Sequence, residues 1–140
     1  ADLIGVGLTS IGEGVDYYAQ NFKEMRDYEE AIDALKLPFE RGVVLSDDDQ
    51  IRQYVIMELM SNFKLDIKRF EKLFNINFKE YFADALIALK PFEEDELLSM
   101  DDDFIKCSET GTLLIRNIAM PFDAYMKKHA ASSKTFSKTV

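Results

Sequence analysis

The sequence predicts a mainly α-helical fold with one small β-hairpin. Apolar residues recur at three-to-four spacing through most of the chain after Lys23, the period of a helix face. One stretch, Leu97–Cys107, instead sets two short apolar segments about an acidic turn. The 140 residues suit one domain, or a compact domain with a short arm.

Taken in order, Asp2–Ile11 (DLIGVGLTSI) reads as a short buried strand with close backbone approach at Gly5 and Gly7. It is too short to be a sheet alone and is expected to have paired with something outside the chain. Gly12–Gly14 reads as a turn and Tyr17–Asn21 as extended. Met25, Tyr28, Ile32 and Leu35 predict a helix over Lys23–Leu35, ended by Pro38. Ser46 with Asp49 resembles a capping box with a shorter acid. The helix it opens carries Ile51, Tyr54, Val55 and Leu59 on one face and Ile56, Met60 and Phe63 on another, so it is buried. Asp66 is placed to N-cap a short helix bearing Ile67, Phe70 and Phe74, and Asn75 to stop it in a left-handed conformation. A third helix carries Phe78, Phe82, Ala85, Leu86 and Leu89, with Pro91 just beyond it. Strands flank Asp101–Asp103, and a last helix over Thr112–Tyr125 must break near residue 117 because of Pro121.

Two short helices and a tight turn followed by a hairpin form a winged-helix-like arrangement. Such folds often bind DNA, but this one is not built for it. The net charge is −9; four lysines between Met126 and Val140 put +4 there and leave −13 on residues 1–125. Nucleic-acid affinity rests on cations meeting phosphates. The helix Phe78–Lys90 also lacks the Arg, Asn and Gln that read bases. The basic tail reads first as a solvated terminus.

Composition excludes more. Hydrophobic residues make up 47% and charged residues 31%, as in a soluble globular protein. No stretch of about 18 uncharged apolar residues could cross a membrane. One cysteine, Cys107, excludes an internal disulfide, and one histidine, His129, excludes a His-rich centre. Both are expected to be inert. The acidic runs Asp47–Asp49, Glu93–Glu96 and Asp101–Asp103 lack the alternation of a calcium loop and read as caps and turns. Gly5-x-Gly7 with Gly12 is not a dinucleotide fingerprint. Arg41, Arg52 and Arg116 adjoin apolar runs, where an arginine usually holds a carboxylate of the protein or of a ligand.

The ordered segments DLIGVGLTSIG, YYAQN, RGVVLSDDDQIRQYVIMELMSNFKLD, FKEYFADAL, TGTLLIRNIAMPFDAYM and FSKTV resemble the C-terminal region of the oxygen-independent coproporphyrinogen III oxidases over nearly the whole chain. That family consists of radical S-adenosylmethionine enzymes of haem biosynthesis. The resemblance implies oxidative decarboxylation of two propionates of coproporphyrinogen III to vinyls, giving protoporphyrinogen IX. It implies S-adenosylmethionine and one [4Fe–4S] cluster, held by an N-terminal C-x3-C-x2-C motif that this chain lacks. The chain by itself is therefore expected to be inactive, and to be the last third or so of the enzyme. The division expected is 1–22, a remnant strand and linker of the barrel domain; 23–126, a winged-helix-like cap; and 127–140, a basic tail.

By the family motif, Ile11 contacts a second S-adenosylmethionine. Tyr18, Gln20, Asn21, Arg52, Arg116 and Asn117 are the substrate-facing candidates, and no metal ligand is expected. Ser61 stands where the family often has Cys, Gln53 where it has a second arginine, and Pro121 in place of a non-proline residue. Expected partners are coproporphyrinogen III and the barrel of the same chain, with no nucleic acid or membrane. The expected setting is the cytoplasm, with a monomeric complete enzyme and a chain that alone can self-associate. The rival expectation is a stand-alone module of the same shape that binds a tetrapyrrole or haem, or another protein.

Overall fold

The computed structural model describes residues 2–125 and divides the chain into two compact units, residues 1–50 and 51–140. The four lysines of the tail and His129 lie outside the described residues. Most of the architecture is helical, with two small antiparallel sheets.

In the first unit, β1 (Ile11–Glu13), β2 (Tyr17–Asn21) and β3 (Phe39–Val44) form a sheet of order β1-β2-β3. Helix α1 (Met25–Asp33) crosses from β2 to β3, and none of its residues is buried. The boundary expected after residue 22 falls between β2 and α1. The strand expected over Asp2–Ile11 is not formed in this chain. Leu3 makes a single antiparallel bridge to Glu13, and β1 occupies most of the expected turn Gly12–Gly14. Gly7 (φ 93°) and Thr9 (φ 59°) bend the backbone out of the extended region. Nor is the segment buried: Leu3, Ile4 and Val6 are exposed. β3 was not foreseen. Its FERGVV has no clean alternation, and all six residues are exposed.

The core lies in the second unit. Helix α2 spans Asp47–Asn62. Its start is a reciprocal cap: Ser46 N–H donates to Asp49 Oδ2 at 3.0 Å, and Asp49 N–H to Ser46 Oγ at 3.2 Å. Ile51, Val55 and Leu59 are buried, with Ile56 and Met60 packed beside them; Phe63 lies past the helix and is 39% exposed. Asp66 caps α3 (Ile67–Phe74) by accepting the Arg69 N–H at 2.9 Å. Asn75 ends it at φ 54°, ψ 42°. The third expected helix is two: α4 (Phe78–Tyr81) and α5 (Ala83–Glu94), broken at Phe82.

Pro91 lies inside α5 rather than beyond it. The helix survives because later amides still reach back, Asp95 N–H to Pro91 O and Leu97 N–H to Phe92 O, while Phe92 packs on the core. β5 (Leu98–Met100) and β6 (Phe104–Cys107) form the expected hairpin. β6 also pairs with an unforeseen strand, β4 (Lys64–Asp66), in a sheet of order β4-β6-β5. The last helix breaks at Leu114, not near 117, between α6 (Glu109–Leu113) and α7 (Ile115–Ala119). Pro121 sits in a closing 3-10 turn, Met120–Phe122, where its missing N–H costs little. Phe70, Phe78, Phe82 and Phe122 fill the centre, with neighbouring ring centroids 5.1–6.3 Å apart.

Candidate functional site

Ile11, Tyr18, Gln20 and Asn21 all lie in the first unit's sheet. Ile11 opens β1 and pairs with Gln20 of β2. Its side chain is 55% exposed. The Tyr18 hydroxyl donates to Glu13 Oε1 at 3.2 Å, and Gln20 Nε2 donates to Thr9 O at 3.4 Å. Asn21 is different. It is buried, and its Nδ2 donates to Gly7 O at 2.9 Å and Gly5 O at 3.4 Å. It anchors the glycine loop ahead of β1. Gly7 N–H, in turn, donates to the Tyr28 hydroxyl of α1 at 3.2 Å. Asn21 is thus a framework residue whose amide holds the Gly5 and Gly7 carbonyls.

Arg52, Arg116 and Asn117 belong to the second unit. Arg52 projects from α2 and donates from Nη1 to Phe122 O at 3.1 Å. Its guanidinium stands 5.5 Å from the Phe82 ring centroid and 5.9 Å from that of Tyr81. It borders a cavity of about 210 Å³ shared with Glu80, Asp84 and Pro121. Arg52 thus ties α2 to the closing turn and stacks on the aromatic core. Arg116 and Asn117 are exposed on α7. Arg116 makes no ion pair among the described residues. The candidates are therefore collected in each unit separately, four on or beside one sheet and three on α2 and α7.

The acidic runs are engaged in structure. Glu93 Oε1 accepts the Met100 N–H at 3.1 Å. At the hairpin tip, Lys68 pairs with Asp103 at 2.8 Å and Lys79 with Asp102. These contacts push both lysines above their usual range, chiefly through the hydrogen bonds themselves. No cluster of three or more His, Cys, Asp or Glu fit for a metal occurs among the described residues. Cys107 is half-buried, and burial pushes its thiol up, which suits an unreactive side chain.

Asp101 turns the tip by accepting the Asp103 N–H at 2.8 Å and the Phe104 N–H at 2.6 Å. Those two bonds hold its carboxyl below the usual aspartate range, and the hydrogen bond from Lys79 does the same for Asp102. A depressed folded value stabilises the fold above the ordinary aspartate pKa of about 3.9 and is lost as pH falls through the depressed value. Amide-exchange protection at Phe104 is therefore expected to drop below about pH 4, and Asp101→Ala to remove that pH dependence. Protection that is flat with pH in the wild type would contradict the turn chemistry.

Sequence reasoning missed Glu13 as the partner of Tyr18, and it left Arg41 without a position. β3 places Arg41 directly opposite Gln20. The YAQN segment was the available signal, since a strand ending in a buried Asn needs acceptors close by.

A family model, the HemN C-terminal domain, matches residues 45–114. An oxygen-independent coproporphyrinogen III oxidase of Helicobacter pylori is 50% identical over 137 residues, which is 98% of this chain and 29% of the relative. One from Escherichia coli K12 is 40% identical over 139 residues, covering 99% of this chain and 30% of the relative. A solved structure, described as coproporphyrinogen III oxidase (HemN) from Escherichia coli, a radical SAM enzyme, superposes with a TM-score of 0.84 at 41% identity. It covers 89% of this chain and 29% of that one. The chain thus spans under a third of the length of each of these relatives.

Proposed function

Since the chain belongs to the HemN C-terminal domain family, we propose that it forms the C-terminal part of an oxygen-independent coproporphyrinogen III oxidase. In that reading the whole protein oxidatively decarboxylates two propionates of coproporphyrinogen III to vinyls. The observation that carries it is the close identity to such enzymes along almost the full chain. Residues 23–126, which include α2–α5 and the β5–β6 hairpin, act as a winged-helix-like cap. Residues 1–22 complete the barrel domain and 127–140 form a basic tail.

The apolar surface of the first unit supports its share of this role. Among its described residues, Gly14, Ala19, Asn21 and Pro38 are buried, while Leu3, Ile4, Val6 and Val15 are each more than half exposed. Side chains of that kind belong against another layer.

The residues of this chain do not fit the iron–sulfur cluster such enzymes use. The cluster needs several thiolates, and Cys107 is the one cysteine here. Radical generation is therefore assigned upstream, and the chain alone is inactive. Its own work is to enclose and orient. Covering the reaction chamber keeps water and competing hydrogen donors from the radical. Arg116, exposed and without an ion pair among the described residues, is the better placed of the two candidate arginines, Arg52 and Arg116, to meet a propionate. Arg52 is already committed to the Phe122 carbonyl.

The test is a chimera in which this chain replaces the matching region of the Escherichia coli relative. Anaerobic formation of protoporphyrinogen with release of carbon dioxide, within about tenfold of the parent rate, is expected. A chimera that folds and loads its cluster yet forms no product would sink the proposal.

A further inference from the structure

Cross-strand partners in an antiparallel sheet share a face, with Cβ atoms about 5 Å apart. The register of the first unit's sheet therefore sets Ile11, Gln20 and Arg41 in one row across all three strands. Glu13, Tyr18 and Val43 form the next row on the same face. The face is open: Ile11 is 55% and Val43 53% exposed, and Arg41 is exposed as well.

Its charges are unequal in availability. Glu13 is engaged by the Tyr18 hydroxyl. Arg41 makes no ion pair among the described residues, although the chain carries a net charge of −9. Beside Arg41, Gln20 spends one amide hydrogen on a long bond to Thr9 O. A guanidinium and an amide thus stand side by side, flanked by two bare aliphatic side chains. A phosphate ligand would have no use for an aliphatic neighbour, whereas a carboxylate on an apolar body uses both kinds of group.

We infer that this face receives a propionate of coproporphyrinogen III, with Arg41 on the carboxylate, Gln20 adding a hydrogen bond, and Val43 meeting the edge of the macrocycle. The inference rests on the substrate reading above. It adds Arg41 as a binding residue that the sequence alone left unplaced.

The experiment titrates the 140-residue chain with coproporphyrin III, the stable oxidised form of the substrate, followed by porphyrin fluorescence. Arg41→Gln is expected to weaken binding about tenfold, and Arg41→Lys to fall between, because lysine keeps the charge but loses the fork. Arg26→Gln, an exposed change on α1, is expected to stay within twofold of wild type. In the wild type, the Arg41 Nε–H and the Gln20 side-chain amide resonances should shift on addition of the porphyrin. Three results would overturn the inference: no binding to the wild-type chain, equal binding by Arg41→Gln, or shifts of those resonances by S-adenosylmethionine but not by coproporphyrin. Each leaves the chimera result standing. A dead chimera with Arg41-dependent porphyrin binding would instead remove the enzyme reading and keep a tetrapyrrole site.

Discussion

Gly111→Ala is expected to destabilise the second unit by about 3 kcal/mol or more and to lower its melting temperature by roughly 10–20 °C. A Cβ on Gly111 would sit 1.8 Å from Leu97 O and 2.8 Å from Leu97 C. The obstacle is backbone, so no rotamer change relieves it. The Leu97 carbonyl cannot easily move either. It accepts the Ser108 N–H at 2.9 Å and the Ser108 hydroxyl at 3.2 Å, while the same hydroxyl accepts the Gly111 N–H at 3.1 Å. Relief would require α6 to lift off Leu97, just ahead of β5, uncovering the Ile115 and Ile118 side of the core. Leu113→Ala, two residues on and 83% exposed, is the matched control and should change little. Equal melting of the two variants would show that α6 does not dock as closely as described.

Phe70→Ala should cost about 3–5 kcal/mol, a large share of the 5–15 kcal/mol that holds a typical domain. Phe70 is fully buried and meets four other rings, with centroids 4.9 Å away at Phe74, 5.1 Å at Phe78, 5.9 Å at Phe82 and 6.1 Å at Tyr54. Truncation removes apolar burial and leaves a hole bounded by stiff aromatic planes that cannot collapse into it. The urea midpoint followed by near-ultraviolet circular dichroism should fall by on the order of 2 M. Leu73→Ala, 58% exposed on the same helix, should shift it far less. A Phe70→Ala midpoint within about 0.3 M of wild type would remove Phe70 from the centre of the core.

Features written in local chemistry were legible in the sequence. The Ser46–Asp49 cap, the Asp66 cap, the left-handed Asn75 and the hairpin about Asp101–Asp103 each depend on residues within a few positions of one another. Features that depend on distant pairing were not. β4 is three residues long with one apolar side chain, Leu65, and exists because β6, some forty residues on, pairs with it. Residues 2–10 alternate convincingly but make a single isolated bridge, Leu3 to Glu13, so the pattern does not become a strand. The candidate site divides the same way. Ile11, Tyr18 and Gln20 could be singled out from their motifs. That Arg41 completes their row follows only from the register of β3. The aromatic seat of Arg52 follows only from how α2 packs beside Phe82 and the turn at Phe122.

The scarcity of core in the first unit reaches into calorimetry. Heat capacity change on unfolding scales with the apolar surface newly exposed to water. A unit that already presents most of its apolar side chains to solvent has little left to expose. The measured endotherm of this chain should accordingly belong almost wholly to residues 51–125. The first fifty residues should loosen gradually, with a small and broad heat uptake, so one transition temperature describes only part of the polypeptide.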